Sequence, residues 1–147
     1  MTDTGLDRAR ALAKSGKFGA LGTIARDSGH PFATLVAYAL VGSAPVFLLS
    51  ELAEHTQNLR IDGRASLLVA EAGADEPLAA GRVTLVGSCA EAPRDEVEAA
   101  YLAVHPQAVA YLALKDFRFW RLAVDSVRHV GGFGKMGWVG AADWSRE

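Results

Sequence analysis

Residues 31–49 run for nineteen positions without a charged side chain, and no other stretch narrows the possible folds as much. That length approaches the roughly 20 apolar residues of a membrane-spanning helix. Its interior argues against one. Gly42-Ser43-Ala44-Pro45 is a turn cluster, and the flanks are rich in β-branched and aromatic residues. Two buried strands joined by a hairpin, residues 32–41 and 45–49, explain the run better, so the membrane reading is rejected.

A chain of 147 residues suits one domain with a sizeable core, here residues 1–147, with 1–5 and 140–147 expected as flexible tails. The formal net charge of -2 gives no general attraction to nucleic acid or anionic membrane. Cys89 is the sole cysteine, which excludes an intrachain disulfide and a cysteine-based zinc cluster. Its apolar neighbours mark it as an inert core thiol. The first residues lack a basic segment followed by an apolar one, so a cytoplasmic protein is expected.

Periodicity predicts the elements. Residues 6–17 form an amphipathic helix with Leu6, Ala9 and Ala13 on one face. Strands follow at 18–25, 32–41 and 45–49, with a turn at Gly29 and Pro31. A helix runs from Ser50 to about Ile61, then strands at 65–70 and 82–90 flank a polar loop. Pro93 opens a helix whose first turn carries Asp95 and Glu96, where the helix dipole favours them. Residues 117–124 and 126–130 read as two further strands, before the glycine-rich segment 131–138. Many strands without regular β-α-β alternation predict a mainly β, α+β fold, an antiparallel barrel or sandwich with peripheral helices.

Three places carry unusual chemistry. Ser50, His55, Thr56 and Asn58 follow the apolar run and combine hydroxyl, imidazole and amide groups at a helix start, a donor set suited to phosphate. The plainer alternative is that Ser50 caps the helix and His55 is a surface residue. Gly131-Gly132-Phe133-Gly134-Lys135-Met136-Gly137-Trp138 permits close backbone approach to a ligand, or is a glycine-rich turn carrying two core aromatics. It lacks the Gly-Lys-Ser/Thr ending of a phosphate-binding P-loop. Arg82, beside Thr84, could bond a heteroaromatic edge or simply sit in water at a strand end. His30, His55, His105 and His129 show no metal-binding spacing, and no nucleophile elbow occurs. If the protein is an enzyme, a cofactor carries the chemistry.

These residues, taken in order, resemble a family. Pro31-x-x-Thr34-Leu35-Val36, Phe47-Leu48-Leu49-Ser50, His55-Thr56-x-Asn58-Leu59, Arg64-Ala65-Ser66-Leu67-Leu68-Val69 and Arg82-Val83-Thr84-Leu85-x-Gly87 look like the flavin-binding split-barrel group that includes pyridoxamine 5'-phosphate oxidase. The ending, with His105-Pro106-Gln107, Asp116-Phe117 and Val130 to Trp138, looks most like the haem-utilisation branch. The resemblance implies an antiparallel six-stranded split β-barrel forming a homodimer, with FMN at the interface and no partnership with nucleic acid or membrane. It implies that Thr34, Leu35, Val36 and Ala37 lie along the flavin, that Ser50, His55, Thr56 and Asn58 meet its phosphate, and that Arg82, Phe133, Gly134, Lys135 and Trp138 approach its ring. The chain departs from the oxidases at Glu54 and Thr34, where they carry arginine, and it lacks their substrate-binding ending.

The resulting expectation is an FMN-binding oxidoreductase acting on a small substrate, with F420 as another possible flavin-like cofactor. The alternatives are a haem-binding or haem-degrading protein, with His105 and His129 as candidate iron ligands, and a non-catalytic dimeric binding module.

Overall fold

The computed structural model describes residues 3–131 and 135–146. Helix α1 (Asp3–Ser15) leads into β1 (Phe18–Ile24), β2 (Pro31–Ala37), β3 (Ala39–Val41) and β4 (Ala44–Ser50). Helix α2 (Glu54–Ile61) precedes β5 (Arg64–Ala70) and β6 (Arg82–Glu91). Helix α3 (Arg94–Val104), a 3-10 turn (Pro106–Ala108) and α4 (Val109–Leu112) then lead to β7 (Phe117–Val130), β8 (Met136–Gly140) and α5 (Ala141–Ser145). No helix among the described residues is long and apolar enough to cross a membrane.

All strand pairs are antiparallel, in the order β2-β1-β5-β6-β7-β4-β3, with β8 also paired to β7. The two ends of this path, β2 and β3, are joined covalently through the single residue Tyr38. The sheet must therefore curl round on itself, enclosing a core that includes Leu21, Tyr38, Phe47, Leu67, Val83, Leu85, Leu122 and Val127. Gly29 and Gly42 take φ of +76° and +64° in the two hairpin turns, which glycine accepts without the Cβ penalty. Among the described residues the sheet has eight strands, where six were expected. One of the extra two arises because the strand predicted over residues 32–41 breaks at Tyr38, and the other is β8.

Tyr38 organises that corner. Its N–H donates to the Lys17 carbonyl at 2.9 Å, and its hydroxyl donates to the Ala13 carbonyl at 2.5 Å, in the last turn of α1. Its own carbonyl, lost to the sheet by the break, accepts from His105 Nε2 at 2.7 Å. Because a carbonyl only accepts, that nitrogen carries the proton. The His105 ring lies edge-on to Phe18 and tilted against Tyr101.

A second core of Val46, Phe119, Val97, Tyr101 and Ala108 packs α3 and the following turn against the opposite face of β4 and β7. This accounts for the uncharged run. β4 is buried on both faces, with the pattern iBBBiBi, and a strand covered twice cannot alternate with polar residues.

β7 is one strand of fourteen residues, where two shorter ones were expected. The register against β6 shifts between Val86 and Gly87, so that Val86 faces Ser126 and Gly87 faces Val124, leaving Asp125 as the extra residue of a bulge. A bulge reverses the phase of alternation: Leu122 on one side and Val127 and His129 on the other all point inward. Gly87 is required here, because a Cβ would collide with the Ala123 carbonyl. Residues 3–5 and 140–146, the described parts of the expected tails, are folded. Residues 3–5 begin α1, and Trp144 of α5 is buried and donates from Nε1 to the Ser43 carbonyl at 2.8 Å.

Candidate functional site

The polar cluster after the apolar run resolves into a corner between α2 and β2. His55 Nδ1 and Thr34 Oγ1 share a hydrogen bond at 3.0 Å, joining residues twenty-one positions apart. Partial burial lowers the His55 pKa below its ordinary 6.5, because desolvation disfavours the imidazolium. This ring is neutral near pH 7.

The neighbouring polar groups are turned toward the protein. Asn58 is wholly buried; its Oδ1 accepts from the Arg26 N–H at 3.0 Å and its Nδ2 donates to Thr23 Oγ1 at 3.1 Å. It thereby ties α2 to β1 and the turn after it. Ser50 Oγ donates to Asp116 Oδ2 at 3.1 Å and accepts from the Leu52 N–H at 3.2 Å. The N-cap of α2 is Ala53, without a side-chain capping bond, so Ser50 shapes the turn before the helix instead of capping it. Helix α2 accordingly starts at Glu54, later than the predicted Ser50. Thr56 is fully buried, and its hydroxyl has no partner among the described residues. Glu54 lies 3.6 Å from the Arg26 guanidinium, which offsets part of its charge beside this corner.

Alternation divides the residues of β2. Thr34 and Val36 are turned inward, while Leu35 projects outward and is 78% exposed. Only main-chain groups could present residues 34–37 to a single ligand together, and β2 has a free edge because it ends the sheet path. Leu35 instead begins a row across the outer face, in register with Ala20, Leu68, Thr84, Arg128 and Trp138. Trp138 and Leu68 are exposed along this row, and the Arg128 guanidinium lies 5.4 Å from the Trp138 ring centroid. Arg82 and Met136, both partners of Val130, stand on the same side; Arg82 Nη1 donates to the Leu78 carbonyl at 2.9 Å. Phe133 and Gly134 lie outside the described residues. Lys135 is exposed, and its carbonyl accepts from the Gly131 N–H at 2.7 Å.

Thus the structure joins Thr34 to His55, and puts Leu35, Arg82 and Trp138 on one outer face. It holds Ser50, Thr56 and Asn58 in internal contacts or burial. Ala20, Leu68 and Arg128 escaped the sequence reading, and Thr84 entered it only as the neighbour of Arg82; the period-2 alternation of β1, β5 and β6 was the available signal. Cys89 is buried, as expected, and burial pushes its thiol up to about 12, far from thiolate reactivity. Among the described residues no group of histidine, cysteine and carboxylates is placed to hold a metal ion.

Comparison with known proteins places this geometry in context. A haem binding protein from Mycobacterium smegmatis is 36% identical, with a TM-score of 0.91 over 99% of this chain and 61% of its own. The non-canonical haem oxygenase HOZ of Arabidopsis thaliana, a chloroplastic protein, is 32% identical over 123 residues, which are 81% of this chain and 37% of the plant protein. The chain therefore spans less than two thirds of either relative. A Clostridium acetobutylicum protein of the pyridoxinephosphate oxidase family is 11% identical but superposes with a TM-score of 0.76 over 98% of the chain, so the split-barrel fold inferred from the motifs holds. The family model described as "CREG, beta-barrel" matches residues 3–146, and the chain belongs to that family.

Proposed function

We propose that this protein binds haem on its outer sheet face, and that two copies pair across that face. The observation that carries the reading is the similarity, along 99% of the chain, to the mycobacterial haem binding protein. The chemistry of the face agrees with it. Gly22 is in register with Ala33 of β2 and Ser66 of β5, and Ala20 lies two positions along β1 on the same face; together they leave a shallow floor on which a flat macrocycle can lie. Leu35, Leu68, Met136 and Trp138 supply exposed apolar surface, while Arg82 and Arg128 offer guanidinium groups to carboxylate side arms. Haem would bring redox chemistry at its iron; this chain's residues would bind and orient it and, when paired, exclude water.

The FMN reading fits less well. Phosphate needs several directed donors, yet Ser50 and Asn58 are bonded within the protein and Thr56 is sealed from solvent. That leaves a neutral His55, the Thr34 hydroxyl bonded to it, and an Arg26 already engaged with Glu54 and Gln57 as the side-chain contribution. An FMN-dependent oxidoreductase is the second reading, kept because the fold is shared with the oxidase family.

Parallel titrations separate these readings. Hemin should produce a saturable, shifted Soret band, while FMN at micromolar concentration keeps its free fluorescence. Absence of a Soret shift rejects the haem reading; quenching by FMN restores the flavin one. If neither ligand binds, the non-catalytic module stands. The pairing is tested separately by light scattering, with Leu35→Glu expected to convert a dimer to monomer, since a desolvated charge at the centre of an apolar interface is strongly unfavourable.

A further inference from the structure

One cavity lies on the other side of the sheet from the outer face. It has a volume of about 680 Å³ and is lined by Arg8, Ala11, Leu12 and Ser15 of α1, Glu71 and Ala72 beyond β5, Gly81 before β6, and His129 and Gly131 at the end of β7. Arg128 and His129 are adjacent but point to opposite faces; His129 is in register with the buried Val83.

His129 is 5% exposed, yet neither ring nitrogen has a hydrogen-bond partner among the described residues. A buried polar group left unpaired in this way is normally unfavourable. Its nitrogens are not sealed in the core as the Thr56 hydroxyl is; the ring forms part of the cavity wall. Across from it, Arg8 makes no ion pair among the described residues, although its charge is felt at the imidazole. The remaining polar wall groups are engaged. Ser15 Oγ donates to the Leu12 carbonyl at 3.2 Å, and Glu71 Oε2 accepts from the Gly81 N–H at 3.3 Å.

We infer that this cavity is a binding site for a small amphipathic carboxylic acid, with Arg8 and the His129 imidazole N–H as donors to the carboxylate and Ala11, Leu12 and Ala72 against its hydrocarbon part. A guanidinium binds a carboxylate through two parallel N–H donors, and a neutral imidazole supplies one more. The Glu71 carboxylate, which also lines the cavity, repels a dianion such as phosphate more than a monoanion. An apolar floor next to unpaired donors favours a ligand with a tail over a bare ion. Burial and the Arg8 charge together lower the His129 pKa; the negative charge of a bound carboxylate offsets the Arg8 charge and acts in the opposite direction.

The test uses the whole chain and sodium hexanoate, with inorganic phosphate at matched ionic strength as the comparison. The readout is the His129 imidazole Cε1–H NMR signal, assigned with His129→Gln or by its through-space contact with Gly131, which packs against Cε1. Hexanoate should shift this signal saturably at millimolar concentration, at least tenfold more tightly than phosphate. Arg8→Gln, at an exposed helical position, should fold normally and weaken hexanoate about tenfold or more. A His129 signal that ignores hexanoate overturns the inference, as does equal response to both anions or an unchanged affinity in Arg8→Gln. The outcome is independent of hemin binding, which concerns the opposite face.

Discussion

Replacing Tyr38 with phenylalanine tests the reasoning about the barrel corner, because it deletes one oxygen and leaves the ring. Tyr38 is fully buried, and its hydroxyl donates to the Ala13 carbonyl at 2.5 Å. Ala13 lies in the last turn of α1, where carbonyls have no partner within the helix. The substitution therefore strands a buried acceptor, at a cost of about 1–3 kcal/mol. For a domain of this size a loss of 2 kcal/mol lowers the melting temperature by about 4–8 °C. Urea denaturation should show a lower midpoint with an unchanged slope, since the surface exposed on unfolding is the same. The pH dependence provides an internal check. Burial pushes the Tyr38 phenol from 10.0 up to about 12, so the contribution of the neutral hydroxyl is complete below pH 10 and is lost as pH rises through about 12. The gap between wild type and Tyr38→Phe should narrow over that interval, leaving Tyr101 and Cys89, each also raised to about 12, to titrate in both proteins. A gap below about 0.5 kcal/mol at pH 7, or one that widens above pH 10, would refute the role assigned to the hydroxyl.

Gly87→Ala should be far more damaging than its one methyl suggests. The new Cβ meets the Ala123 main chain, which cannot move without disturbing the bulge, so a loss of about 3 kcal/mol or failure to fold is expected in thermal denaturation. Arg10 donates from Nη2 to the carbonyls of Asp143, Trp144 and Arg146, satisfying the C-terminal end of α5. Arg10→Ala should cost about 1 kcal/mol and make the emission of Trp144 more accessible to acrylamide, whereas unchanged quenching would mean that α5 is held by Trp144 alone. The His55 and His129 pKa values are both lowered, so their stabilising effect is whole above pH 6.5 and declines as pH falls through the lower folded values. Denaturation midpoints at pH 7.5 and 5.5 should differ, and His55→Gln should reduce that difference.

The strands were legible where one face is buried and one is wet. β1, β5 and β6 follow the alternation of their sequences closely. The uncharged run was recognised as paired strands, but the break at Tyr38 was not, because nothing local distinguishes it. The break depends on bonds from Lys17, Ala13 and His105, distant in sequence. β7 was divided in two because its hydrophobic phase reverses at Asp125, which in sequence looks like an interruption. In the candidate site, the family resemblance assigned Thr34 and His55 to one flavin site, and the structure joins them by a hydrogen bond. Pattern reading gave Ser50 and Asn58 to a ligand because residue type reveals hydrogen-bonding capacity, whereas only the fold reveals which groups have already used it. Asp116 and Thr23, the partners concerned, lie 66 and 35 residues away.

The bulge at Asp125 has a consequence for how this chain can change over time. The sequence pattern of β7 changes phase at Asp125, and the bulge takes up that one residue so that both halves keep their faces. Deleting Asp125 would merge the halves into one regular alternation and leave Val127, Arg128 and His129 on their present sides. One residue inserted after Ser126 would instead send Arg128 into the interior and turn Val127 and His129 out into water, exchanging the contents of the two faces at once. Such an insertion is equivalent to many simultaneous substitutions, whereas in the Glu71–Gly81 segment, which is mostly exposed, length can vary with far less effect. Lineages carrying this barrel should therefore vary freely in length at that segment, and within β7 only by loss of the bulge residue.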